Sequence, residues 1–207
     1  MATSRTLRVG LVALATAASG CGGSTGAAPS AAVPGATRQA SPAPGAARSA
    51  FAWLRPAPAP AGWLSVRLAT GATMAYPPGW HEIPGDADTA SAALLDGRGR
   101  YLGYLNLTPR QGAETPTGWP SFRLRHNAAE GNRDVRLAAA AGGLRFRTGR
   151  GTCVRDAYTT STNTRYVEIA CLVAGKDASS VVIGAAPSEH WTQERFVIER
   201  AISALTT

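Results

Sequence analysis

Lysine is nearly missing from this chain of 207 residues: Lys176 stands alone against twenty arginines. Histidine is scarce too, with His81, His126 and His190 far apart and never at the spacing of a metal site. There is no Gly-x-Ser-x-Gly elbow to present a hydrolase serine. The glycines of Gly97-Arg98-Gly99-Arg100-Tyr101-Leu102-Gly103 are misplaced for a dinucleotide loop. No apolar run approaches the roughly 20 residues of a membrane-spanning helix. Together these absences predict a chain with no metal, no cofactor and no catalytic set, hence not an enzyme.

The formal charge of +8 suggests nucleic acid at first, but its distribution argues against it. From Trp63 onward the chain holds 16 basic and 13 acidic residues, a net +3. A nucleic-acid reader would cluster its basic residues beside a groove-reading or stacking motif. The arginine bias instead matches the Ala, Gly and Pro excess of a GC-rich genome. No nucleic-acid partner is expected.

The first residues have the anatomy of an export signal. Arg5 and Arg8 precede the short apolar run Val9 to Ala18, and Ser19-Gly20-Cys21 follow. A positive start, a short apolar centre and small residues at the end describe a cleaved secretory address. Ala18-Ser19-Gly20-Cys21 resembles the bacterial lipobox, with Ala18 in place of the favoured Leu. The resemblance implies cleavage after residue 20 and acylation of Cys21. Two or three acyl chains, at about 0.8 kcal/mol per buried methylene, hold a protein firmly where one holds it marginally. The expectation is a lipoprotein anchored to the outer face of the cell membrane, facing a protein or other cell-envelope partner. The cysteine count fits: with Cys21 acylated, Cys153 and Cys171 remain to pair in an oxidising compartment.

Residues 21–62 are dominated by Ala, Pro, Gly and Ser and hold no acidic residue. Such a segment buries too little apolar surface to offset its ordering entropy. It is expected to be a disordered tether, and about 40 such residues span roughly 35 Å. Residues 63–207 form the expected globular domain.

Within the domain, strands are predicted at Leu64 to Ala69, Thr73 to Tyr76, Trp80 to Ile83, Ala90 to Asp96 and Tyr101 to Thr108. A helix is expected from Gly118 to Gly131, with Trp119, Phe122 and His126 on one face and Arg123, Arg125 and Glu130 pointing elsewhere. Ser179 to Ala186 reads as a buried strand, and Ser188 as the cap of a final amphipathic helix bearing Trp191, Ile198, Ile202 and Leu205.

The sharpest local expectation is a hairpin centred on Thr162. It sets Cys153 opposite Cys171 and Tyr158 opposite Tyr166. Directly opposed strand residues satisfy disulfide geometry, and closing a loop of this size stabilises by roughly 3 kcal/mol. The same register sets Asp156 against Glu168, an unfavourable meeting of like charges. It requires either a well-solvated face or a basic side chain between the two. Nearby, Arg145, Arg147, Arg150 and Arg155 form a candidate anion-binding patch.

The string Met74-Ala75-Tyr76-Pro77-Pro78-Gly79-Trp80 resembles the strand-turn signature of PsbP-like proteins. Val181-Val182-Ile183-Gly184-Ala185-Ala186, followed by a helix from Ser188, is similar to that family's ending. The resemblance covers about residues 63 to 205. It implies an α+β fold, an antiparallel sheet packed between helices, and a non-enzymatic role in binding or assembly. It carries no catalytic residues. Two other functions fit the sequence: a carrier or sensor of a small hydrophobic ligand held near Trp80, Trp119 or Trp191, and an extracellular hydrolase using Asp156 and Glu168.

Overall fold

The computed structural model describes residues 49–207. The expected signal, Cys21 and the expected tether as far as residue 48 lie outside the described residues. Strands β1 (Leu64–Arg67) and β2 (Thr73–Tyr76) form a hairpin of their own. Strands β3 (His81–Ile83), β4 (Ala90–Leu95), β5 (Tyr101–Pro109), β6 (Arg133–Arg145), β7 (Arg150–Thr159), β8 (Arg165–Ala174) and β9 (Ser179–Pro187) build a seven-stranded sheet in the order β3-β4-β5-β9-β8-β7-β6. Every pairing in it is antiparallel. Helix α1 (Trp119–Ala129) joins β5 to β6, and α2 (Trp191–Ala204) ends the chain.

Local chemistry accounts for the turns. Trp80 donates its backbone N–H to Pro77 at 3.2 Å across Gly79, whose φ is +90°. This is a type II turn, with proline at its second position and glycine where φ must be positive. The double proline also removes two ladder donors, so β2 stops there. Trp80 then folds over Gly103, where a Cβ would come within 2.7 Å of the indole. The β7–β8 hairpin closes on Ser161-Thr162-Asn163, with Asn163 in the left-handed region at φ 66°. Its register is the predicted one: Cys153 pairs with Cys171, Asp156 with Glu168 and Tyr158 with Tyr166. The disulfide joins the two cysteines across a Cα separation of 4.1 Å, and both are fully buried.

Alternation along the strands divides the sheet into two faces. One presents Ala92, Leu105, Leu107, Val182, Ile169, Cys153 and Cys171. It is covered by Ile198, Ala201, Ile202 and Leu205 of α2 and by Met74 and Tyr76 of β2. Gly184 lets α2 approach, because a Cβ there would collide with Ile198. The other face meets α1 through a smaller cluster of Trp119, Val154, Ala170, Leu172 and Val181.

Three expectations need correction. The tether was expected to reach residue 62, but Phe51 is buried in the main core with Trp53 and Leu54 packed beside it. Three large apolar side chains within four positions outweigh an Ala/Pro-rich surrounding, since burying one such ring contributes about 1.5–3 kcal/mol. The Ala57 N–H donates to Ser203 at 3.3 Å and ties this segment to the end of α2. Ser188 does not cap the final helix, which starts three residues later at Trp191 with no side-chain cap. Its N–H instead donates to Arg165 at 2.8 Å. The longest strand, β6, was not expected at all. Its Ala138–Ala141 and Gly142-Gly143 run has little strand preference, and it forms an edge strand whose pairing with β7 shifts register three times.

Candidate functional site

Helix α1 must cross the sheet because β5 and β6 are not neighbours. It settles over β6 and β7 and leaves the same face of β4, β5 and β9 uncovered. The result is a cleft of about 680 Å³ between the helix and the open half of the sheet. Its floor is Ser91, Tyr104, Asn106, Thr108, Val181 and Ile183, with Tyr158 and Glu168 under the helix. Trp119, Phe122, Arg123, His126 and Glu130 form one wall; the 83–86 segment and the loop carrying Gln111 and Glu114 close the other.

Beneath the helix lies the carboxylate pair predicted from the register. Water does not solvate it: Asp156 is 0 % and Glu168 1 % exposed. The basic side chain required by the alternative is Arg123, at 6 % exposure. Its Nε and Nη2 donate to the two carboxylate oxygens of Glu168 at 2.6 and 2.8 Å. A bidentate charge-assisted pair of this kind is strong and geometrically specific. Arg123 was expected to point away from Trp119 and Phe122, but it lies four residues after Trp119 and turns inward with it. Tyr158 also donates to Glu168, at 3.4 Å. Burial, then the negative charge of Glu168, push the Tyr158 phenol well above its ordinary range.

Among the described residues no such cation is bonded to Asp156. Asn127 Nδ2 donates to its Oδ2 at 3.2 Å, while Asp156 Oδ1 and Asn127 Oδ1 are both buried without a donor. Burial first, then the Glu168 charge, raise the Asp156 carboxyl to about 8. A retained proton makes Asp156 a donor, the group that two neighbouring orphaned acceptors call for. Asp156 does not line the cleft. The two carboxyls therefore do not present a substrate with an acid–base couple, and the hydrolase expectation loses its geometry.

On the open floor the polar groups are already connected. Asn106 Nδ2 donates to Ser91 Oγ at 2.9 Å, and Ser91 Oγ lies 3.2 Å from the Tyr104 hydroxyl. Ser91 accepts from the amide, so its own proton can go to Tyr104, leaving the phenolic O–H free to donate into the cleft. Asn106 is 8 % exposed and its Oδ1 receives no bond from the described residues. Serine, amide and phenol supply hydrogen bonds and no general base, so this network does not activate Ser91 as a nucleophile. On the wall, Trp119, Phe122 and His126 stack in series with ring centroids 5.7 Å apart at each step. Trp119 Nε1 donates to Ala170 at 3.0 Å and pins the start of the helix to β8.

Of the tryptophans named as neighbours of a ligand, only Trp119 lines this cleft. Trp80 and Trp191 pack on the core of the other face. The arginines separate as well. Arg145 and Arg150 pair across the end of the β6–β7 hairpin, and Arg145 and Arg147 flank a shallow depression shared with Pro56 and Pro58. Arg155 lies further along β7, opposite Ile169. Among the described residues no His, Cys, Asp and Glu cluster could hold a metal ion, and no helix is long and apolar enough to cross a membrane.

The sequence reading missed Ser91, Tyr104, Asn106, Thr108, Glu114 and Asn127. A signal was present in β5, where Tyr104, Asn106 and Thr108 alternate with Leu105 and Leu107. A strand between two partners whose second face is polar has a face that something other than core must cover.

No protein-family model matches the chain, and no curated protein matches it by sequence. Among solved structures it is similar to the cyanobacterial PsbP (CyanoP) of Synechocystis sp. PCC 6803, with a TM-score of 0.53 and 13 % identity over 72 % of this chain and 94 % of that one. LpqN of Mycobacterium tuberculosis, described as involved in cell envelope biogenesis, is a looser likeness, with a TM-score of 0.38 and 11 % identity over 70 % of this chain and 91 % of that one. The described domain is an α+β sandwich with the PsbP-like fold.

Proposed function

We propose that this protein is a non-catalytic binding module, exported and held at the outer face of the cell membrane by acyl chains on Cys21. Its working surface is the cleft between α1 and the open half of the sheet, where it takes up a small molecule of the envelope. The observation behind this reading is the cleft itself: about 680 Å³ floored by Ser91, Tyr104, Asn106 and Thr108. Ligand sites are concave, with a few placed polar groups among apolar and aromatic ones. This lining is more polar than a hydrophobic carrier needs, so the ligand forms hydrogen bonds as well as ring contacts. Export draws support from the lipobox-like string and the buried disulfide. The cationic end at Arg145, Arg147 and Arg150 lies beside Pro56 and Pro58, on the chain leading back toward Cys21, where it would meet anionic headgroups of the membrane.

Native mass spectrometry of protein released gently from its own membranes tests the reading. The expected result is acylation on Cys21 and a co-purifying small molecule, lost from a Thr108→Trp variant that fills the cleft. An unmodified amino terminus would overturn the anchor. Equal retention of the molecule by Thr108→Trp would overturn the cleft.

A further inference from the structure

The cleft has an unbalanced charge. Asp86, Glu114, Glu130 and Glu168 line it against Arg123 and His126, in a domain that is otherwise net positive. Both of these side chains are already engaged, Arg123 with Glu168 and His126 Nε2 with Glu130 at 2.9 Å. Glu114 differs from its neighbours. It is 7 % exposed, and its Oε2 accepts the Gly112 N–H at 2.7 Å. Among the described residues no cation pairs with it. A buried carboxylate is ordinarily paired, because leaving water costs several kcal/mol. One backbone N–H covers part of that need, and among the described residues no side chain covers the rest.

Three further observations narrow the missing partner. Asn106 Oδ1, on a side chain more than nine-tenths buried, offers a second free acceptor in the same cleft. Tyr101 and Tyr104 supply aromatic surface, and aromatic faces attract cations. The carboxylates do not converge into a set able to ligate a metal ion. A bare metal ion has no cage here, whereas an organic cation needs only one counter-ion, an acceptor and aromatic surface.

We propose that the cleft binds an organic ammonium group, with Glu114 as its counter-ion, Asn106 Oδ1 as an acceptor and the rings of Tyr101 and Tyr104 beside it. This rests on the cleft being the binding site and adds the chemical class of its ligand. The cation reaches it either as a free amine or as the headgroup of a zwitterionic lipid.

The test is a titration of the folded protein with choline and with its uncharged carbon isostere, 3,3-dimethylbutanol, followed by nitrogen-edited NMR of the Trp119 indole and the amides of Ser91, Asn106 and Thr108. Choline is expected to bind at least tenfold more tightly than the isostere, and Glu114→Gln, which retains the acceptor for Gly112, to remove that preference. The wild-type comparison needs no variant, so misfolding of Glu114→Gln leaves the test intact. Equal affinity for the two probes in the cleft would overturn the charge assignment while upholding the site. No perturbation by either would overturn both. Phosphatidylcholine vesicles in a parallel titration separate the sources: tighter binding to them than to free choline assigns a lipid headgroup, and weaker binding a free amine.

Discussion

The two faces of the seven-stranded sheet solve different problems with the same strands. The face under α2 is largely apolar, with Ser180 and Arg155 as its polar members, and it is braced by the Cys153–Cys171 disulfide and approached closely at Gly184. The face under α1 buries an arginine, two carboxylates and an amide, and then leaves half its width open. Dry apolar packing stabilises without specifying a ligand. Buried ion pairs contribute little net stability relative to a hydrophobic replacement, yet breaking one is costly. The contrast points to a division of labour, with folding stability on one side and recognition on the other.

The largest effect should follow from breaking the buried pair. Arg123→Met leaves Glu168 uncompensated and should cost about 3–5 kcal/mol in urea unfolding. Arg123→Met combined with Glu168→Leu should recover most of that loss. On the apolar face, Ile198→Ala removes a fully buried side chain and should cost about 2–4 kcal/mol, with binding in the cleft unchanged in the fraction that stays folded. A purely structural α1 face would respond to both substitutions in the same way, erasing the contrast.

Smaller and more diagnostic is the pH dependence. Folded Asp156 keeps its proton to about pH 8, whereas the unfolded carboxyl releases it near 3.8. Between those values the folded chain binds more protons, so stability falls as pH rises through the window and levels off above it. Asp156→Asn should flatten that slope in thermal melts from pH 4 to 8. The smallest stability change belongs to the cleft floor. Thr108→Val should stay within about 0.5 kcal/mol of wild type while weakening ligand binding, because no bond among the described residues depends on that hydroxyl.

Much of the architecture was legible in the sequence, and the reasons are specific. Turn chemistry at Pro77-Pro78-Gly79 and the hairpin centred on Thr162 fixed two boundaries and one register to the residue, since few backbones suit those strings. Compositional arguments did worse. The Ala- and Gly-rich run of β6 becomes a strand through tertiary pairing, and Phe51 joins the core from a segment whose average predicts a tether. The site was half visible. Register placed Asp156 opposite Glu168, but periodicity on α1 read Arg123 as a solvent residue, because an amphipathic pattern does not distinguish a charged side chain facing water from one facing a buried partner. The cleft depends on where a crossing helix comes to rest, which no local pattern encodes.

The most direct measurement of the division between faces uses tryptophan indole N–H resonances, with reporters on both sides of the sheet in one spectrum. Adding a small-molecule extract of the cell envelope should shift the Trp119 resonance and leave Trp80 and Trp191 in place. Shifts at Trp80 or Trp191 with Trp119 unmoved would contradict the account.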